Sequence, residues 1–367
     1  MPHRLKHRTA RPGAVPEPQS RERGGIPAAL ARIGRQALYG LCLGSLLVAT
    51  GARAAVTPVL VIHGGAGVER ASMTPDKERA VRAALSRALQ NGYAALKAGR
   101  PALDAVTAAI TVLEDDPNFN AGKGAVFTHD GRNELDAAVM QGDTLQAGAV
   151  AGVHRVRNPI LLARAVMLHS PHVLLAGDGA EAFAATQGIV LVDPSYFRTD
   201  VRWQQLQKAL KQDAAHVPHD DPAIGTHHGT VGAVALDGAG HLAAGTSTGG
   251  ITDKLWGRIG DSPLIGAGTY ANAGCAMSGT GAGEYYIRTV AAHEICTRVT
   301  EMHVPLAKAA NDVINGEIPR LGGDGGAILL DRDGHIAMPF NTDGMYRAWI
   351  GTDGIAHVAI FAEPPPH

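Results

Sequence analysis

Two short runs of nearly the same residues set the first constraint on the fold: Gly232-Ala-Val-Ala-Leu-Asp237 and Gly326-Ala-Ile-Leu-Leu-Asp331, each followed by Gly-His at 240–241 and 334–335. Short β-rich runs that turn through Asp and Gly are hairpins, and hairpins make antiparallel sheet. Val126-Phe127-Thr128, turning through Asp130-Gly131, reads as a third. The two similar runs are expected to lie as adjacent strand pairs, although two copies do not make a repeat protein. Pro58 to Ile62 is continuously apolar and ends in Gly64-Gly65, so it predicts a buried strand delivering a flexible loop. Helical spacing follows: Thr74-Pro75 supplies an N-cap and a first-turn proline ahead of Val81, Leu85, Ala88 and Leu96. A second helix is predicted from about Ala102 to Leu113, a third from Glu284 to Met302, and a fourth from Leu306 to Ile314, ending at Gly316. Sheets with helical pairs in these proportions predict an α/β sandwich, its helices packed outside two sheets.

The first 54 residues read differently. They carry nine Lys/Arg against two Asp/Glu, a net of +7, which leaves 24 against 32, a net of −8, in residues 55–367. An acidic body argues against a nucleic-acid partner, which calls for a basic face. Arg32 and Arg35 precede an uncharged stretch from Gln36 to Ala52, and Ala52-Arg53-Ala54 supplies an A-x-A site. This is the pattern of a secretory signal peptide over 1–54, and it predicts a periplasmic or secreted protein with no stable membrane contact once the leader is cleaved. An uncleaved anchor is the alternative, but 17 residues is short for a span, which takes about 20. Cys42 leaves with the leader, and Cys275 and Cys296 are too few for a disulfide framework and lack Cys-x-x-Cys spacing, so they are expected to be buried thiols.

Residues 201–229 break the alternation. From Lys211 to Gly229 the chain holds Asp213, Pro218, Asp220-Asp221-Pro222 and Gly225 with no apolar period, and is expected to be an exposed loop. It stops at His228-Gly229-Thr230-Val231-Gly232, where a buried strand begins. A threonine at a strand start is by itself ordinary. The combination of Gly229–Asp237, Thr246-Ser247-Thr248-Gly249-Gly250 and Gly257-Arg258-Ile259-Gly260-Asp261-Ser262-Pro263 resembles the plant-type asparaginase and isoaspartyl peptidase family of N-terminal nucleophile (Ntn) hydrolases. The resemblance runs from about Val59 to Ile350. It also takes in His63-Gly64-Gly65-Ala66-Gly67, Asn120 to Gly124, Glu134 to Ala137, Gly279 to Glu284 and Phe340 to Met345. It implies a four-layer αββα sandwich and scission between Gly229 and Thr230, giving an α subunit, 55–229, and a β subunit, 230–367, within one structural domain.

The chemistry accounts for these residue types. A threonine hydroxyl is a poor nucleophile without a base beside it, and a free α-amine with a pKa near 8 is such a base within the same residue. That amine exists only after the Gly229–Thr230 bond breaks. Gly229, without a Cβ, allows the close approach the break requires. By resemblance, Thr248 tunes the nucleophile, and Arg258 and Asp261 hold the substrate's α-carboxylate and α-ammonium. A guanidinium fork on a carboxylate, and a carboxylate accepting from an ammonium, together recognise a free amino-acid head group. Thr280 and Gly281 correspond to the oxyanion hole, Gly283 lies near the substrate ammonium, and Asn120 with the His63-Gly64-Gly65 loop lines the site.

Lesser signals resolve against chemistry. Gly279-x-Gly281-x-Gly283 lacks the third glycine of a dinucleotide loop, because Glu284 stands there. His293-Glu294-Ile295-Cys296-Thr297 approaches a zinc motif, but Thr297 replaces the second histidine, so no catalytic metal is expected. Leu113 to Phe119 is similar to the family's sodium loop, which implies at most a structural sodium ion. His227-His228 reads as solvated linker. The resulting expectation is an autoprocessed enzyme hydrolysing L-asparagine and β-aspartyl dipeptides, assembled as a heterotetramer of two α/β units and needing no cofactor for catalysis. The alternatives are a glycosylasparaginase acting on N-glycan stubs, whose junction has Asp where this chain has Gly229, and a secreted binding protein without activity.

Overall fold

The computed structural model describes residues 56–214 and 229–362. The predicted leader, the loop from 215 to 228 and its His227-His228 pair lie outside the described residues. Strands β1 (Val59–Ala66), β2 (Leu135–Gln141), β3 (Ala147–Val153), β4 (Leu174–Ala176), β5 (Val231–Leu236) and β6 (Leu242–Thr248) belong to one sheet. A second sheet holds β7 (Thr269–Ala271), β8 (Cys275–Gly281), β9 (Gly325–Asp331) and β10 (Ile336–Ala337), and β11 (Gly344–Ile350) and β12 (Ala356–Phe361) return to the first. The eight-stranded order is β12-β11-β1-β5-β6-β2-β3-β4 and the four-stranded order β10-β9-β8-β7.

The apolar runs are continuous because both faces of each sheet are covered. In β1, Val59 and Val61 enter the core between the sheets, while Leu60 and Ile62 enter the core under the helices. In β9, Ile328 and Leu330 face the other sheet, and Ala327 and Leu329 face the outer helices. Helices α1 (Pro75–Lys97), α2 (Ala102–Glu114) and α3 (Pro159–His169) cover the larger sheet, followed by α4 (Gly177–Thr186) and α5 (Asp200–Ala214). The smaller sheet is covered by α6 (Gly283–Thr289), α7 (Ala291–Thr300), α8 (Leu306–Asn311) and α9 (Ile318–Arg320). The layers run helix, sheet, sheet, helix, which is the αββα sandwich. Thr74 caps α1 through the Lys77 N–H, and Val81, Leu85, Ala88 and Leu96 are buried.

Several elements differ from expectation. The two similar hairpins are real, but β5–β6 and β9–β10 belong to different sheets, facing each other across the inner core. Thr128 turns through Asp130-Gly131, its N–H donating to the Arg132 carbonyl at 2.8 Å, but Val126–Thr128 joins no ladder, and Thr128 bridges to Lys254 in parallel instead. Side chains take over its backbone groups: Asn120 Oδ1 accepts from Val126 N, and Asn133 Nδ2 donates to the carbonyls of Ala125 and Val126. The helix predicted from Glu284 to Met302 breaks at Val290, which sits in the left-handed region at φ 50°. There the N–H groups of Ala292 and His293 turn to the carbonyls of Ala267 and Gly266, a tertiary partner that outcompetes the continuing helix. The helix from Leu306 ends as α-helix at Asn311 and widens into a π turn, Asp312–Glu317, through Gly316. Lys211 to Ala214, expected in the loop, close α5.

Cys275 and Cys296 are not free thiols. They form a disulfide between β8 and α7, both fully buried. The spacing of 21 residues carries no signature. The antiparallel β8 and the helix packed on it bring the two residues together.

Candidate active site

The β5–β6 hairpin explains the 18-residue spacing of the two threonines. Val231 pairs with Ser247, so Thr230 and Thr248 are the next positions outward on the same ladder. Their hydroxyls meet at 3.0 Å, Thr230 donating to Thr248. Thr248 Oγ1 also accepts from the Gly250 N–H at 3.0 Å. Both residues are buried, so these bonds form away from competing water.

Gly229 carries the carbonyl next to Thr230. It accepts from the Asn120 N–H at 3.0 Å. A Cβ on Gly229 would fall 2.7 Å from Asn120 Cβ, and one on Gly65, at φ +113°, would fall 2.6 Å from Gly229 Cα, so three backbones meet where only glycine fits. Asn120 is pinned by its own side chain, donating to the Gly250 carbonyl at 2.7 Å and accepting from Val126 N at 2.9 Å.

A small cleft opens beside the hydroxyl pair, lined by Thr230, Thr248, Gly250, Arg258, Asp261 and Gly281 among others. Arg258 and Asp261 converge over Gly283, where an added Cβ would lie 2.8 Å from Asp261 Oδ1 and 3.0 Å from Arg258 Nη2. Burial works against the Arg258 charge, but Glu284 and the nearby Asp261 and Asp136 more than offset it and raise its pKa. Thr280 stands below the cleft rather than in its lining. It is fully buried, and its Oγ1 accepts from Ala66 N at 3.1 Å. The predicted residues thus gather around one cleft, with Thr280 beneath it and Asn120 at the Gly229 side.

Three neighbours escaped the sequence reading. Glu284 grips Arg258 with both oxygens, at 2.8 and 2.9 Å, in the fork geometry a substrate carboxylate would use. Lys254 is buried under the Gly250 turn, with Nζ donating to the Glu134 carbonyl at 3.2 Å. Asp136 lies opposite Thr248 on β2, its carboxyl pushed up by burial against the pull of Lys254. Glu284 and Asp136 fall inside runs that carry the resemblance, Gly279 to Glu284 and Glu134 to Ala137, without a role attached to either, and Lys254 carries no signal without the strand register. The zinc-like stretch makes no site: the His293 ring packs on Tyr270, and Cys296 is in the disulfide.

A buried hydroxyl pair beside a guanidinium and a carboxylate on one cleft fits a hydrolase of amide bonds. Residues 56–360 match the family described as asparaginase. The chain is 52% identical over 295 residues to an isoaspartyl peptidase of Escherichia coli (strain K12), covering 79% of this chain and 92% of that one. It is 39% identical over 312 residues to an isoaspartyl peptidase/L-asparaginase of Bos taurus (83% and 96%), and 42% identical over 298 residues to a plant-type L-asparaginase of Pyrococcus abyssi (79% and 95%). The chain belongs to the asparaginase family.

Proposed function

We propose that this protein is an autoprocessed isoaspartyl peptidase and L-asparaginase with Thr230 as its nucleophile. The observation that carries the reading is the Thr230–Thr248 hydroxyl pair at 3.0 Å beside the Arg258/Asp261 clamp. In the first stage Thr230 Oγ attacks the Gly229 carbonyl, polarised by the Asn120 N–H, and the peptide rearranges to an ester. The shift breaks the Gly229–Thr230 amide and frees the Thr230 α-amine, and water then cleaves the ester, freeing the Thr230 hydroxyl and leaving Gly229 with a carboxylate. In the second stage this amine takes the proton of Thr230 Oγ as the oxygen attacks the side-chain carbonyl of asparagine or of a β-aspartyl dipeptide. Thr248 holds the hydroxyl, Arg258 binds the α-carboxylate, and Asp261, beside Gly283, binds the α-ammonium. Thr280 and Gly281 stabilise the developing oxyanion. Ammonia or the second amino acid leaves, and water releases aspartate.

The mature protein is then two pieces, 55–229 and 230–367, paired as a heterotetramer of two α/β units. The Cys275–Cys296 disulfide supports the reading of residues 1–54 as an export signal and of a periplasmic or secreted site, because disulfides persist in oxidising compartments. A structural sodium ion would be held by backbone carbonyls of the turn after α2, where those of Glu114, Pro117 and Phe119 crowd the places that side chains on Gly122 and Gly124 would fill. Bound there, it would stiffen the segment carrying Asn120.

Intact-mass spectrometry of the wild type beside Thr230→Ala tests the reading. Two chains in the wild type, one beginning at Thr230, with a single chain in the variant, are expected, together with hydrolysis of asparagine and β-aspartyl dipeptides by the wild type alone. An uncut, inactive wild type would overturn it.

A further inference from the structure

A guanidinium carries five N–H donors in one plane, and Glu284 takes only one edge of the one on Arg258. Nε donates to Glu284 Oε1 at 2.8 Å and Nη2 to Oε2 at 2.9 Å. The end of the fork, with the protons of Nη1 and the second proton of Nη2, borders two glycines. A Cβ on Gly260, in the cleft lining, would fall 2.8 Å from Nη1 and 3.3 Å from Nη2. One on Gly283 would fall 3.0 Å from Nη2 and 2.8 Å from Asp261 Oδ1. A side chain at either position would press on that end, so the two glycines keep it open.

The loop that carries Arg258 offers little packing of its own. Its turn is closed by the Arg258 N–H on the Leu255 carbonyl at 3.0 Å, and Leu255, Trp256 and Ile259 are all exposed. Asp261 lines the same cleft, and its charge acts on the same guanidinium. A collapse of Arg258 onto Asp261 would set the two halves of the head-group clamp against each other and close the hollow between them. Glu284 holds the arginine from outside that hollow. It stands in the first turn of α6, its side chain 54% exposed against 16% for Arg258. Burial opposes the Arg258 charge, and Glu284 does most among its neighbours to restore it, ahead of Asp261 and Asp136.

We propose that Glu284 is a positioning residue for the substrate's α-carboxylate, holding the Nε/Nη2 edge of Arg258 so that the Nη1/Nη2 end receives the carboxylate over Gly283. The second carboxylate then lies on two parallel N–H···O bonds, as the first does. One guanidinium bridges two carboxylates, the protein's own and the substrate's. Because Arg258 is already held in the empty cleft, less ordering of its long side chain is left for the binding step. Asparagine and β-aspartyl dipeptides carry the same head group, so the effect is equal on both, and it falls on binding rather than on the chemical step.

The inference rests on Arg258 binding the α-carboxylate, and a double-mutant cycle separates the two claims. KM and kcat for asparagine and a β-aspartyl dipeptide, with the inhibition constant of L-aspartate, are measured on wild type, Glu284→Gln, Arg258→Lys and the double variant. Glutamine keeps the shape of Glu284 and removes its charge. Glu284→Gln is expected to raise KM and the aspartate constant about fivefold, the reach of a part-exposed ion pair, with kcat within about twofold. Lysine has no fork to hold, so the double variant is expected to match Arg258→Lys within about twofold. Unchanged constants in Glu284→Gln would sink the inference alone. So would a lower KM, which would make Glu284 a competitor of the substrate, a fall confined to kcat, or effects of the two substitutions that simply multiply. An inactive wild type, or an Arg258→Lys variant with all constants unchanged, would take the head-group reading down with it.

Discussion

Thr248 accepts hydrogen bonds from both Thr230 Oγ and the Gly250 N–H, so it fixes the Thr230 hydroxyl to a backbone turn rather than to a mobile side chain. Thr248→Ala is expected to lower kcat by about 100-fold, with a smaller change in KM, in steady-state assays on a β-aspartyl dipeptide. Arg258→Lys keeps the charge and loses the fork, and a rise in KM of about tenfold is expected in the same assay. Two fully buried groups set opposite pH dependences of stability. Burial pushes Glu114 up to about 8 from 4.5, although Ser247 and Ile160 donate to it. The folded chain therefore keeps a proton that the unfolded chain gives up, and this group's stabilisation is full below 4.5 and lost as pH rises toward 8. His63, lowered from 6.5 to about 3, contributes above 6.5 and loses its contribution as pH falls. Glu114→Gln is expected to flatten the fall in the urea midpoint between pH 5 and pH 8, and an unchanged fall would show that Glu114 is ionised in the folded state. At this scale the sequence was legible where motifs bring residues to one cleft, as with Thr230, Thr248, Arg258 and Asp261. It was opaque where a side chain matters only through a neighbour distant in the chain, as with Glu284 on Arg258.

Helices and strands were legible where the apolar period met a proper cap, as at Thr74-Pro75. Val290 shows the limit. Ile287, Ala291 and Ile295 keep helical spacing across the break, and no Gly or Pro marks it, because the cause is the Gly266-Ala267 turn, whose carbonyls accept from the Ala292 and His293 N–H groups. A β-branched residue at φ 50° is strained, and Val290 is half exposed, so little packing would be lost with its side chain. Val290→Gly is expected to stabilise the fold by up to about 1 kcal/mol, read as a higher urea midpoint. A lower midpoint would mean that the Val290 contact with the Gly266 turn outweighs the strain. The misread hairpin at Val126 has a similar cause, since Asn120 and Asn133 capture backbone groups that a ladder would otherwise use.

Across the whole molecule, the disulfide closes a loop that contains Thr280, Gly281, Gly283 and Glu284. It ties the end of β8 away from the cleft to α7. Iodoacetamide added to the denatured, unreduced protein is expected to leave Cys275 and Cys296 unlabelled, and labelling of both is expected only after reduction. Cys275→Ser with Cys296→Ser is expected to lower stability by about 3 kcal/mol in urea titrations. The four-layer architecture was legible because its strands are apolar on both faces. The assignment of the two similar hairpins to opposite sheets was not, since each satisfies the same local pattern.

The strand order bears on what becomes of a chain severed at Gly229–Thr230. In the larger sheet β1 lies between β11 and β5, while β2 lies beside β6, so strands from before the cut alternate with strands from after it. The smaller sheet belongs wholly to the later fragment, but its inner face packs on the larger sheet, which neither fragment completes alone. Dilution would not part them, because separation would first break the ladders on both sides of β1 and open the core beneath it. The severed molecule would behave as one folding unit, melting in a single transition and refolding only when both fragments are present together.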